Sequence, residues 1–569
     1  MADIATNGPY REEDSDSQPV VGVRPSSGDS SSPRNGTRAL EQRLVEEDTS
    51  GQPGHTMFRP APKSINDLPL DLIILVLETA LDEVANLPHY QGGGYLGMLK
   101  TLAAVCRMWK STIQDTPRLW KVIDSTITLN ERHYMLRKSK KCALAFRHSM
   151  DRTPGLDTSD FLDFASFNMY RCSSASLEVE GCHQAARVLG SPAPILREAT
   201  VIASNHDSHE HIILFDGQAG MLENLRLSNI PIQWDLGLPP KLRRIQISYG
   251  SNTPIAWAPS PPQVLSALST CSGLEFFYLC GRITVHNRLE WEELGVRGPT
   301  AELPMLKELK IENMSKAEIA YILKHLSTPP LRNLKLMESI HSEVDGTLTP
   351  LLHPPSRILI ESIRRALVHC DKVALMLDPE RCSLEVKGAG GYVSLSRLKC
   401  ADPDELTRWV MEELASELSS MPELHLGLEV LSMCPGPELR SLAKLMKVLK
   451  NVARLSCMQV SAEVNVVLKH LARPYQASDG WRWHWPGLKH LDLNGAFSYN
   501  DLALTMIRDR YGTPQEEDGG TGDGTPKWRP SPLTTLRLGQ MKSLQPKIFQ
   551  DIVDIVGKEV LKGDGWCVD

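Results

Sequence analysis

An apolar residue, two residues of any kind, an apolar residue, one of any kind and an apolar residue: this spacing returns repeatedly after about residue 170 and constrains the fold more than any other feature. It stands as Leu196-Ala199-Val201, Leu222-Leu225-Leu227, Leu242-Ile245-Ile247, Leu274-Phe277-Leu279, Leu306-Leu309-Ile311 and Leu331-Leu334-Leu336. Weaker copies are Val452-Leu455-Cys457, Leu488-Leu491-Leu493 and Leu533-Leu536-Leu538. In each, the last two apolar positions flank one residue free to face the other way, which is the period of a half-buried strand. Many copies run into Asn, Gly or Ser and then a helical stretch, most clearly at 315–326. A plain α/β domain whose strands begin with Leu is the simple alternative. Nine copies with helical segments between them favour stacked strand–helix units.

That pattern resembles a leucine-rich repeat. The resemblance implies an α/β repeat, an irregular solenoid over residues 124–569 with an extended strand face for binding. Copies are spaced by about 20 to well over 30 residues, beside a usual repeat of 20–29, so insertions are expected. Residues 340–450 are the least regular, with helical patterns over 355–369 and 404–421, a strand over 373–377 and a Gly388-Ala389-Gly390-Gly391 turn. Residues 512–532 are rich in Gly, Asp and Pro and read as a mobile loop. Residues 546–558 read as a closing helix.

A different pattern precedes the repeats. Pro69 suits the first turn of a helix, where a missing N–H costs nothing, and Asp71 favours the positive end of the helix dipole. Leu72, Ile73, Val76, Leu77 and Ala80 form one helical stripe, and Leu99, Leu102, Val105, Cys106, Trp109 and Ile113 a second. Thr116-Pro117 starts a third helix that presents Leu119 and Trp120. So small a unit cannot bury its own apolar surface well and must pack on something larger. Leu68-Pro69 followed by Val105-Cys106-Arg107, Trp109, and then Pro117 with Leu119-Trp120 resembles an F-box, of the kind found with degenerate leucine-rich repeats in mushroom-forming fungi. The stretch from 82 to 97, with Gly92-Gly93-Gly94, is longer than that family shows.

The resemblance implies a helical F-box-like module over 64–123 that docks on the Skp-type adaptor of an SCF-type cullin–RING ubiquitin ligase, while the repeats hold a target protein. The implied adaptor-binding residues are Leu68, Pro69, Leu72, Val76, Val105, Cys106, Trp109, Pro117, Leu119 and Trp120, some of which must instead be core. No catalytic residue and no cofactor are implied. The alternative is a repeat scaffold unrelated to ubiquitin, whose first helices only cap the array. Exposure of Leu68-Pro69 favours the first reading and burial the second.

Composition narrows the rest. Residues 1–62 are rich in Ser, Asp, Gly, Pro and Arg and are expected to be disordered. The chain of 569 residues is 41% hydrophobic and 23% charged with net charge −7, which is ordinary globular usage and indicates no general nucleic-acid surface. Its 12 cysteines form no C-x-x-C pair, no secretory signal is visible and no apolar run is long enough for a membrane span, so a cytoplasmic or nuclear protein is expected. His206, His209 and His211 cluster but lack the second ligand pair of a structural zinc site. The glycine-rich runs at 388–391 and 519–524 lack the Lys-Ser/Thr of a phosphate loop. Trp481-Arg482-Trp483-His484-Trp485 is the densest aromatic cluster. Its tryptophans, Trp481, Trp483 and Trp485, are candidates for partner binding or, equally simply, for packing where a repeat is lengthened.

Overall fold

The computed structural model describes residues 65, 68–86, 94–150, 158–205, 211–250, 259–281, 298–339, 348–353, 355–377, 381–399, 402–430, 440–458, 464–477, 480–494, 500–512, 530–538 and 546–562. The tail 1–62, most of the 512–532 loop, residues 206–210 and the 519–524 glycine run lie outside them.

The chain is a mixed α/β protein built on one sheet of 17 strands among the described residues. From the Val122–Asp124 edge the sheet passes through Leu144–His148, Cys172–Gly181, Glu198–Asn205, Asn224–Ser228 and Arg244–Ser248, each parallel to the last. Phe276–Cys280, Glu308–Met314 and Asn333–Glu338 continue it in parallel. Helices such as Pro261–Leu268 and Lys316–His325 supply crossovers, which parallel neighbours require. Ser260 with Gln263, and Ser315 with Glu318, close capping boxes at their starts.

Chain order then breaks. Asn333–Glu338 pairs in parallel with Gly391–Lys399, which runs antiparallel to Arg381–Gly388. That strand runs antiparallel to Cys370–Leu377, and Cys370–Leu377 pairs in parallel with Leu424–Val430. The physical reason is connection length. Ala389-Gly390 leave no room for a crossover, and a two-residue turn joins only antiparallel strands. The turn itself demands glycine: Gly391 has φ +153°, and a Cβ on Gly390 would collide with the Arg365 carbonyl. Val452–Met458, His490–Asn494, Thr535–Leu538 and Leu561–Lys562 then complete the sheet in parallel.

Register explains why the sequence spacing repeats. One row runs Ala199, Leu225, Ile245, Phe277, Leu309 and Leu334. It crosses the segment around the reversed strand as Val393, Val386 and Val373, then continues as Leu426, Leu455, Leu491 and Leu536. A second row two residues on runs from Val201 to Leu336, then through Leu395, Leu384, Leu375, Leu428, Cys457, Leu493 and Leu538. Every member of both rows is buried. The irregular region therefore preserves both apolar rows while reversing one strand. Just before the strands, Arg197, Glu223, Arg243, Glu275 and Lys307 alternate in sign. Arg197 pairs with Glu223 at 3.5 Å, Arg243 pairs with Glu275, and Lys307 reaches Glu275 at 2.6 Å. Lys307 and then Arg243 hold the Glu275 carboxyl down to about 2.

Candidate docking surface

Among the described residues, three helices and a 3₁₀ turn precede the sheet: α1 (Leu70–Asn86), α2 (Gly94–Val105), α3 (Arg107–Asp115) and Pro117–Trp120. Pro69 stands one residue ahead of the first helical turn, and its carbonyl accepts the N–H groups of Leu72 and Ile73 at 2.9 and 3.1 Å. The expected single stripe over 99–113 is divided between two helices. Cys106 is the reason: its backbone is extended and its Sγ accepts the Trp109 N–H at 3.4 Å, so it caps α3 rather than continuing α2.

The first turns of α1 are apolar on both faces. Ile73, Leu77 and Leu81 are buried against α2 and the core. Leu72, Leu75 and Val76, with the spacing i, i+3, i+4, face outward at 46, 56 and 40% exposure. Leu70 at 57% and, at the end of α2, Val105 at 59% are also exposed. A helix apolar all round is normally buried on all sides. Here one side has no cover among the described residues.

The sequence-derived residues thus divide. Pro69, Leu72, Val76 and Val105 are exposed, while Leu68, Cys106 and Pro117 are half-buried and Leu68 packs against the core. Trp109, Leu119 and Trp120 are core. Trp120 Nε1 donates to the Ile113 carbonyl at 2.7 Å, its ring meets Tyr134 edge-on at 5.4 Å, and Tyr95 Oη donates to the Leu119 carbonyl at 3.1 Å. These contacts tie the 3₁₀ turn to α2, to α3 and to Tyr134 beyond the first strand, and Arg118 adds an ion pair to Glu78 at 2.9 Å. Leu70 and Leu75 did not stand out in the sequence. The signal for them was an apolar residue at every position from Leu72 to Leu77, which one stripe cannot use.

The tryptophan cluster divides as well. Trp481 lies on a short strand, Gly480–Arg482, paired with Tyr475–Ala477. Trp485 is fully buried with φ +48°, and Trp483 is half-buried beneath the Arg510 guanidinium at 5.6 Å. Arg510 is itself buried and donates to the carbonyls of Leu471 at 3.1 Å, His484 at 2.8 Å and Trp485 at 2.6 Å. Burial pushes its guanidinium pKa down. Burial, then the neighbouring His470, pushes His484 down to about 4, so its ring is neutral at pH 7. Trp483 and Trp485 are therefore packing residues around a buried cation.

His211 alone of the histidine cluster is described, and its Nδ1 lies 3.3 Å from the Ile232 carbonyl. No metal-binding cluster of His, Cys, Asp or Glu occurs among the described residues, and no described helix is long and apolar enough to cross a membrane. Comparison with protein-family models, curated proteins and solved structures yields no match.

Proposed function

We propose that the chain is an F-box-type substrate receptor, docking a Skp-type adaptor of a cullin–RING ubiquitin ligase through the 64–123 helices. The observation that carries this reading is the outward apolar face of α1, Leu72, Leu75 and Val76, beside exposed Pro69 and Val105. Fully burying a Leu or Val side chain yields about 1.5–3 kcal/mol, so leaving several uncovered on one face marks an interaction surface. The same reading takes the sheet domain as an irregular leucine-rich-repeat solenoid that holds a target protein. In-register apolar rows and the helices between strands support it. Catalysis is by proximity, with adaptor and target held on one body and no catalytic residue in this chain. The protein then works in the cytoplasm or nucleus.

The test is binding of the purified chain to a Skp-type adaptor, beside a Leu72→Asp/Val76→Asp variant. Expected is a complex with the wild type and loss of at least tenfold in affinity for the variant, whose changes fall on exposed side chains. Wild-type chain that is folded and does not bind overturns the reading. The scaffold alternative, favoured by the packing of Leu68 against the core, then stands.

A further inference from the structure

Exposed aromatic side chains and unpaired cations meet where the chain enters its second and third strands. Helices α4 (Leu129–Lys138) and α5 (Ser159–Phe167) lie side by side, with the His133 ring edge-on to Phe164 at 5.5 Å. Each leads into a strand, Leu144–His148 and Cys172–Gly181, and these strands are parallel neighbours, so both helices end at one edge of the domain. One turn beyond the ring contact stand Arg137 on α4 and Phe167 on α5. Phe167 is 82% exposed, more than any other large apolar side chain described, and Tyr170 in the following 3₁₀ turn is 57% exposed. Exposed Ile195 belongs to the same edge: Ser174 pairs with Glu198, and Arg171 and Ile195 each stand three residues ahead of them.

The cations are Arg137, Lys138, Lys140 and Lys141, and the sequence holds no Asp or Glu from 132 to 150 or from 164 to 177. The negative end of the helix dipole accounts for Arg137 and Lys138 in the last turn of α4. It does not account for exposed Lys140 and Lys141 beyond the helix. Lys140 moreover holds φ +50° just past a helix end, where glycine is the usual residue. Arg171 props this turn: it donates to the carbonyls of Lys140 and of Cys142 at 3.0 Å and to Ser139 Oγ at 3.3 Å, which ties the lysines to Tyr170, its neighbour in the chain. Lys138 Nζ donates to the Gln114 carbonyl at 3.3 Å. None of these cations pairs with a carboxylate among the described residues. The carboxylates around them are mostly engaged. Asp163, one turn before Phe167, pairs with Arg187 at 3.2 Å, Glu131 with Lys100 at 2.8 Å and Glu223 with Arg197 at 3.5 Å. Asp115, Asp216 and Glu198 accept only the Ser111 hydroxyl and the Gln218 and Asn224 amides. They are outnumbered by Arg137, Lys138, Lys140, Lys141 and Arg171.

We propose that this edge binds the surface of an anionic phospholipid bilayer. Phe167 enters the boundary between headgroups and acyl chains, Tyr170 lies at headgroup level, and Arg137, Lys140 and Lys141 face the lipid phosphates and carboxylates. An apolar anchor joined to a basic patch supplies the two signals that stable peripheral binding takes, and Lys and Arg near an anionic leaflet are drawn to it. The protruding ring decides between a bilayer and a soluble polyanion: Phe offers no hydrogen bond, whereas a bilayer accommodates a projecting apolar group without a matching pocket. The long side chains around it keep their charges at the interface while the ring goes deeper. None of these residues lies on the docking helices, so the site stands independently of the adaptor reading.

The experiment is co-sedimentation of the full chain, without adaptor, with vesicles of phosphatidylcholine alone and of phosphatidylcholine containing about one-third phosphatidylserine. Expected is at least tenfold tighter binding to the anionic vesicles, weakening as added salt screens the charges. An Arg137→Gln/Lys141→Gln variant should lose at least tenfold. Phe167→Ser should lose at least fivefold with every charge retained, which separates insertion into lipid from attraction to any polyanion. Both variants change exposed side chains, and an unchanged urea midpoint shows that they fold. Equal binding to the two kinds of vesicle, binding to neither, or undiminished binding by either folded variant overturns the proposal. So does displacement of the chain from anionic vesicles by a single-stranded oligonucleotide at equal phosphate concentration, which would make the edge a nucleic-acid surface.

Discussion

Replacing Arg510 by Met should destabilise the C-terminal part of the sheet domain by about 2–4 kcal/mol. The side chain donates to the Leu471, His484 and Trp485 carbonyls and, through Nε, to Tyr511 Oη at 2.9 Å. Trp485 O keeps a second donor, the Leu488 N–H at 3.1 Å. Met preserves the apolar stem but removes the donors, so the carbonyls of Leu471 and His484 lose this partner at about 1–3 kcal/mol each. The stacked contacts with Trp483 and Tyr511 add about 1 kcal/mol. Against these stands the relief of no longer burying an unpaired cation, which brings the net to the stated range. Urea denaturation measures the cost, and amide exchange in the helices Val464–Ala472 and Asn500–Tyr511 localises it. Arg508→Met is the control: that side chain is exposed and only 3.6 Å from Asp551, so a change within about 0.5 kcal/mol is expected. If Arg510→Met stays within about 1 kcal/mol of wild type with unchanged exchange, the guanidinium does not hold the tryptophan segment and the packing account fails.

Two further outcomes follow from burial. Leu336→Ala should cost about 2–5 kcal/mol in the same assay, because Leu336 is fully buried in the second apolar row and its removal leaves a cavity. Stability should fall as pH drops from 7 towards 4. His425 and His484 are both pushed down to about 4 in the folded chain, against about 6.5 unfolded, so between those values the unfolded state binds more protons. Denaturation midpoints at pH 7, 5.5 and 4.5 measure this, and a His484→Gln variant should show a shallower decline. Equal midpoints across that range refute it.

Much of the sheet was readable because its signal is local. The strand spacing at Leu225-Leu227 or Ile245-Ile247 needs only alternate burial, and the helix over Lys316–His325 announces itself through Ser315 and Glu318. The reversed strand Arg381–Gly388 was not readable as such. Val393, Val386 and Val373 hold one row in place, yet only the two-residue turn at Ala389-Gly390 forces the chain back, and nothing local says which neighbours it meets. At the docking surface, Leu72 and Ile73 are adjacent and equally apolar, and the sequence assigns both to one stripe. Packing against α2 buries Ile73 and leaves Leu72 half in water.

By itself the sequence determined the period-2 strands, their helical connections, the caps and the helix starts, since each depends on residues within about one turn of one another. Only the tertiary structure decided that Trp109, Leu119 and Trp120 are core while Leu75 and Val105 are surface, and that Arg510 is buried over the Trp483 ring. It alone brought Phe167 and Tyr170 to the edge that carries Lys140 and Lys141. Which side of an apolar helix meets water, and which distant strands become neighbours, depend on competition among long-range contacts that no local window contains.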